Sequence, residues 1–170
     1  MSDFKAVRVA RSHTMTVAGT PERVFPLLCP TKEYDWIAIW DCDLVYSDSG
    51  VAEAGCVFAT DFPQDGGRDI WVVSRYEPNR AIAFVRVNPL RTISYDITLS
   101  DAGNGTATAV WSQILTGLNE EGNRHVAAYS DEAYAGLMER CRAMLDHYLT
   151  TGTMLSGEGL RKLLAGHPNG

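Results

Sequence analysis

The sequence predicts an α+β fold: a curved antiparallel sheet of about seven strands wrapped around one long C-terminal helix, with two short helices after the first strand. Three observations predict it. Short segments with loose apolar alternation, each closed by turn residues, recur from Asp41 to Thr116. A single segment, Asp131–Tyr148, carries apolar residues at spacings of three and four. One sheet and one long amphipathic helix can bury their apolar faces together only if the sheet curls around the helix.

The elements follow in order. From Val7 to Val17 the positions Val7, Val9, His13, Met15 and Val17 share one side, opposite Arg8, Ser12, Thr14 and Thr16, as in a half-buried strand. Thr20 is placed as a helix N-cap, Pro21 suits the first helical position and Glu22 the positive end of the dipole. Val24, Phe25, Leu27 and Leu28 form the apolar face of that short helix; Pro26 interrupts it and Pro30 ends it. Strands are expected over 41–46, 55–62, 69–76, 81–87, 92–99 and 106–116, and Asn104-Gly105 is the strongest hairpin signal among their turns. In 92–99, Ile93, Tyr95, Ile97 and Leu99 point inward and Asp96 and Thr98 outward. In 106–116 two readings stand, Val110 with Ile114 inward or Trp111 with Leu115 inward. The long helix opens at Ser130 and stops at Gly152, and its stripe runs Tyr134, Leu137, Met138, Cys141, Met144, Leu145 and Tyr148. Residues 1–152 read as one domain and 153–170 as a tail with room for a helical turn or two before His167-Pro168-Asn169-Gly170.

With 170 residues the chain has the length of one domain and can bury roughly 70% of its unfolded surface. A net charge of −6, with no basic block, argues against a nucleic-acid or anionic-membrane partner. No apolar run approaches the roughly 18 residues that span a bilayer, and Met1–Arg11 lacks the apolar segment of a signal peptide. The expected location is the cytoplasm, where Cys29, Cys42, Cys56 and Cys141 would be reduced thiols. Their spacing fits no metal site, and no cofactor is implied.

The order of elements is that of the helix-grip fold, and the chain resembles the START/SRPBCC superfamily. The resemblance is carried by HTMTVAGTPERVFPLL, WDCDLVYSDSG, DIWVVSRYEP, AIAFVRV and AYAGLMERCRAMLDHYLTTG, spanning about residues 8–152. It looks closest to small bacterial members. What it implies is a deep apolar cavity between the curved sheet and the long helix, taking a hydrophobic or amphipathic small molecule: a lipid, a polyketide or an aromatic compound. The superfamily has no common catalytic motif to carry over.

The residues agree in kind. Small sheet residues, Ala59, Ser74, Ala83, Ser94, Ala107, Ala109 and Ser112, alternate with Phe58, Phe62, Trp71, Phe84, Tyr95 and Trp111, enough to line a wall without filling it. Candidate ligand-binding residues are these six aromatics with Trp36, Trp40, Tyr134, Leu137, Met138 and Cys141. Within CPTKEYDWIAIWDCDLVYSDSG, residues 29–40 form a connection that Tyr34, Trp36, Ile37 and Trp40 make too apolar to be exposed, so it either caps the core or also contacts ligand. His13 and Tyr95 are the candidate catalytic groups if the cavity hosts proton transfer. Glu33, Asp35, Asp41 and Asp43 read as solvated, and Arg75, Arg86 and Arg91 as surface arginines. Three functions fit: a small-ligand binder, a polyketide cyclase or aromatase, and a protein–protein module; a homodimer suits any of them.

Overall fold

A computed structural model describes residues 3–166, so His167 lies outside the described residues. The chain runs β1 (Arg8–Val17), α1 (Pro21–Val24) and a 3₁₀ turn (Phe25–Leu28), a second 3₁₀ turn (Glu33–Asp35), then β2 (Asp43–Tyr46) and β3 (Val57–Thr60). After a 3₁₀ turn at Pro63–Asp65 come β4 (Asp69–Glu77), β5 (Ala81–Val87), β6 (Arg91–Gly103) and β7 (Thr106–Gly117). Three helices close it: α2 (Glu120–Ala127), α3 (Asp131–Thr151) and α4 (Gly157–Ala165). All seven strands form one antiparallel sheet in the order β1-β7-β6-β5-β4-β3-β2. Among the described residues no helix is long and apolar enough to cross a membrane.

Local chemistry explains the boundaries. Pro26 has no N–H for an α-helical bond, and the helix tightens into a 3₁₀ turn at Phe25. Thr20 occupies the N-cap through its carbonyl, which accepts from Arg23 and Val24 N–H at 2.9 and 3.0 Å; its side chain makes no capping bond. The turn between β6 and β7 puts Asn104 and Gly105 at φ of 55° and 75°, the left-handed pair a tight hairpin needs. Ser130 Oγ accepts from Ala133 N–H at 3.1 Å and opens the 21-residue α3, which ends on Gly152 at φ 71°.

Strand alternation decides which side chains face the helix. Arg91, Ile93, Tyr95, Ile97 and Leu99 of β6 are buried, and so are Ala107, Ala109, Trp111, Gln113 and Leu115 of β7, which settles the two readings of that strand. Five of the small residues expected to make room inside do not face inward: Ala59 and Ala83 alternate with the inward Phe58 and Phe84. Ser74 and Ser94 are exposed, and Ser112 Oγ meets Ser12 Oγ at 3.0 Å on the outer face. β2 is shorter than expected and is an edge strand exposed throughout, with Leu44 41% exposed. α2 was not expected from the sequence. Asn119 Oδ1 caps it through Gly122 N–H at 2.8 Å, and a Cβ on Gly122 would stand 1.8 Å from the Leu90 carbonyl oxygen.

Two polar systems fix the sheet. Along β1, His13 Nε2 meets Glu139 Oε1 of α3 at 3.0 Å, and Ala18 N–H donates to Asp146 Oδ1 at 2.7 Å. Arg142 ties those two carboxylates together at 2.9 and 3.0 Å. Under β4–β6, Arg91, 1% exposed, grips the fully buried Asp69 through two bonds of 2.8 and 3.0 Å. Arg86 binds Asp65 at 2.8 Å, also contacts Asp69, and lies 4.0 Å above the Trp71 ring. Arg86 and Arg91 are therefore not surface arginines; register across β4, β5 and β6 turns both inward. Arg75 does lie at the surface, paired with Glu77 at 2.8 Å.

Burial pushes the Asp69 carboxyl up, but the hydrogen bonds and charges of Arg91 and Arg86 outweigh it and hold it below the ordinary carboxylate range. The stabilisation it supplies is complete above the unfolded-state value of 3.8 and is lost as pH falls through the lower folded-state value. At neutral pH, Asp69→Asn leaves Arg91 buried without its partner and is expected to cost about 3–5 kcal/mol, read as a lower urea midpoint.

Candidate functional site

A cavity of about 130 Å³ lies between the sheet, α3 and the segment that precedes β2. Its sheet wall is a band of rings, one per strand from β3 to β7. Phe58 stacks on Trp71 at 5.2 Å, Trp71 meets Phe84 edge-on at 5.8 Å, Phe84 lies 5.9 Å from Tyr95, and Tyr95 lies 6.0 Å from Trp111. Each ring leans on its neighbours, so the wall is stiff and does not collapse into the space it bounds. From α3 come Leu137, Met138 and Cys141.

The remaining wall answers what the aromatic stretch at 29–40 is for. Pro30, Glu33, Ile37 and Trp40 line the cavity at spacings of three, four and three, because the segment coils: Glu33 N–H donates to Cys29 O at 3.1 Å and Ile37 N–H to Glu33 O at 2.8 Å. The coil is bolted down. Trp36 is fully buried and its Nε1 donates to Leu27 O at 2.8 Å, while Trp40 Nε1 donates to Pro30 O at 2.8 Å. The segment is a structural cap whose inner side is also cavity wall.

The structure sorts the candidate residues. Trp40, Phe58, Trp71, Phe84, Tyr95, Trp111, Leu137, Met138 and Cys141 come together around the cavity. Trp36, Phe62 and Tyr134 do not line it. Phe62 packs behind Trp40 at 5.8 Å, and the Tyr134 hydroxyl donates to Trp111 O at 2.8 Å, which fixes α3 against β7. His13 is engaged by Glu139 away from the cavity and is no part of it.

Sequence reasoning missed the polar lining. Glu33, Arg86 and Gln113 all border the cavity. Burial raises the Glu33 carboxyl to about 8, so it is a neutral acid at pH 7. Burial, with the Glu33 charge next, pushes the Cys141 thiol up to about 12, so it is no thiolate. The Tyr95 hydroxyl is also held well above its ordinary value, first by burial. Glu33 thus stands with Tyr95 and Cys141 inside one apolar shell. Arg86, Gln113 and Leu137 are shared with a second hollow of about 380 Å³, bordered by Asp65, Arg91, His125 and Tyr129 among others. That hollow is the larger, more polar approach to the inner cavity. The signal for Glu33 was its helical spacing from Ile37 and Trp40, hidden by acidic neighbours that do face solvent.

No family model matches the chain, and no curated protein matches it. Solved structures do. The ZhuI aromatase/cyclase of Streptomyces sp. R1128 superposes with a TM-score of 0.65 at 12% identity, covering 86% of this chain and 98% of its own. The Mll3558 protein of Rhizobium loti gives 0.63 at 15% identity over 84% of this chain and 100% of its own. A point mutant of Thalictrum flavum norcoclaurine synthase, in complex with a transition-state analogue, gives 0.62 at 10% identity over 88% and 99%. At such identities the likeness shows the fold: this chain has the helix-grip fold, a curved seven-stranded sheet holding one long helix.

Glu33 makes the fold pH-sensitive in a definite direction. Between the ordinary value of 4.5 and about 8 the folded chain holds a proton the unfolded chain has released, so stability falls as pH rises. Glu33→Gln removes this dependence. Its melting temperature is expected to exceed that of the parent by a margin that widens from pH 5 to pH 8; equal margins across that range would contradict a buried acid.

Proposed function

We propose that the protein binds a small hydrophobic or amphipathic molecule in the inner cavity, with aromatic compounds the class that fits best. The observation that carries this is the ring-lined cavity itself: a band of rings on the sheet wall, Trp40 on the cap and Leu137, Met138 and Cys141 on the helix, with a few polar groups set among them, the usual make-up of a small-molecule site. Its volume favours a ring over a long acyl chain, and the outer hollow offers room for a substituent. Affinity would come from burial of apolar surface, about 25 cal/mol per Å².

A second reading is an enzyme of aromatase or cyclase type. It is supported by the fold shared with ZhuI and by Glu33 and Tyr95, two groups able to give and take protons in a dry site. Tyr95 keeps its candidacy; His13 loses it to Glu139. The protein-module alternative would use the outer face of β4 and β5, where Ile70, Val72, Val85 and Val87 are exposed, and a homodimer could form there too.

Native mass spectrometry of freshly purified protein tests the binding reading. The expected result is a stoichiometric apolar adduct that Cys141→Phe, which fills the cavity, removes while the protein stays folded. An adduct that survives this substitution lies elsewhere and contradicts the reading.

A further inference from the structure

We propose that the inner cavity is built for an uncharged ring bearing a carbonyl group, an aryl or cyclic ketone, whose oxygen accepts from one or two of the donors set around it by Glu33, Tyr95, Gln113 and Trp111. This rests on the ligand-binding reading above and adds the chemistry of the ligand.

Size comes first. A dry cavity of about 150 Å³ accepts benzene. This one, at about 130 Å³, has room for a single six-membered ring, with anything longer extending past Arg86 and Gln113 into the outer hollow.

The polar groups decide the rest. Among the described residues, the Glu33 carboxyl, the Tyr95 hydroxyl and the Gln113 amide have no hydrogen-bond partner, though all three border the cavity. The Trp111 indole N–H, in a side chain 3% exposed, has none either, and neither has Arg86 Nε. Tyr95 and Gln113 are cross-strand partners, and Trp111 pairs with Ile97 in the adjoining row, so three of these groups meet on one patch of wall. Buried polar groups are ordinarily satisfied, and two buried donors without a partner, beside three further unpaired polar groups at the same void, describe a site for a polar guest. Two of the five, the indole and the guanidinium Nε, can only donate. Glu33 in its acid form adds a third N–H or O–H. The partner must therefore supply acceptor oxygen.

Charge excludes the obvious rivals. The Arg86 guanidinium is shared between Asp65 and Asp69, and Arg91 is spent on Asp69, so this cluster offers no surplus cation to a carboxylate guest. An amine would leave the Trp111 indole N–H and Arg86 Nε, which only donate, still unpaired. A purely apolar ring would leave every one of these groups unpaired.

Isothermal titration calorimetry with four single-ring probes tests this: acetophenone, ethylbenzene, benzoate and benzylamine. At pH 6.5 acetophenone is expected to bind at least about tenfold more tightly than the other three. Its affinity is expected to fall above pH 8, by about tenfold per pH unit, because ionised Glu33 loses its O–H and sets a negative charge against the carbonyl. The groups facing Glu33 are Tyr95 of β6, Cys141 of α3, Arg86 of β5 with its two aspartates, and Cys42; of these, Tyr95 and Cys141 stay neutral over that range. Glu33→Gln keeps a donor, so it is expected to retain acetophenone binding within about threefold and to show a flat profile from pH 6.5 to 9. Ethylbenzene binding as well as acetophenone would leave the cavity a ligand site and overturn the carbonyl assignment. Preference for benzoate or benzylamine would do the same, as would a pH profile unchanged in Glu33→Gln. Failure of all four probes would overturn the ligand-binding reading together with this one.

Discussion

One helix cannot cover seven strands. The strands stand about 4.8 Å apart, so the sheet is roughly 29 Å across, while a helix with its side chains is about 10–12 Å wide. α3 is committed to one side. The His13–Glu139 and Ala18–Asp146 bonds fasten it along β1, and Tyr134 pins it to β7. The inner face of β3–β5 is left for something else to close, and the coiled segment carrying Trp36 and Trp40 closes it. The cavity is the seam between the two covers. Curvature brings the covers together without bringing them into contact, and the ring band on β3–β7 is too stiff to fill the gap.

The same seam accounts for the chemistry. Side chains from four elements end there, and none of those elements was shaped around the polar tips of the others. Glu33 arrives on the cap, Arg86 on β5, and Tyr95 and Gln113 on neighbouring strands. The Asp69 pair with Arg91 holds the β4–β6 end of the site in place and, with Asp65, neutralises Arg86. The inner cavity is thereby left nearly uncharged at neutral pH, with Glu33 as a carboxylic acid instead of a carboxylate.

The architecture was largely legible in the sequence because it follows from short-range chemistry. Alternation in β6 named its inward residues, Asn104-Gly105 made its hairpin, and Ser130 and Gly152 bounded α3. Most of the aromatic lining was legible for the same reason. The polar half of the site was not. Arg91 and Asp69 are 22 residues apart and look like ordinary surface charges until strand register superimposes them. Glu33 shares its stretch with acids that do face water. α2 went unseen because Gly122, which reads as a helix breaker, is there to let the helix approach the Leu90 carbonyl. Ser74, Ser94 and Ser112 look like space-makers by size alone, whereas the space comes from the separation of helix and cap.

The central claim is that a neutral carboxylic acid stands inside a ring-lined cavity. Carbon-13 NMR of protein labelled at the glutamate side-chain carboxyl tests it most directly, with the Glu33 signal assigned by its loss in Glu33→Gln. The account requires that signal to titrate with a midpoint near 8 in the ligand-free protein. A midpoint near the ordinary 4.5 would mean that water reaches Glu33 freely, and the cavity as described here would not exist.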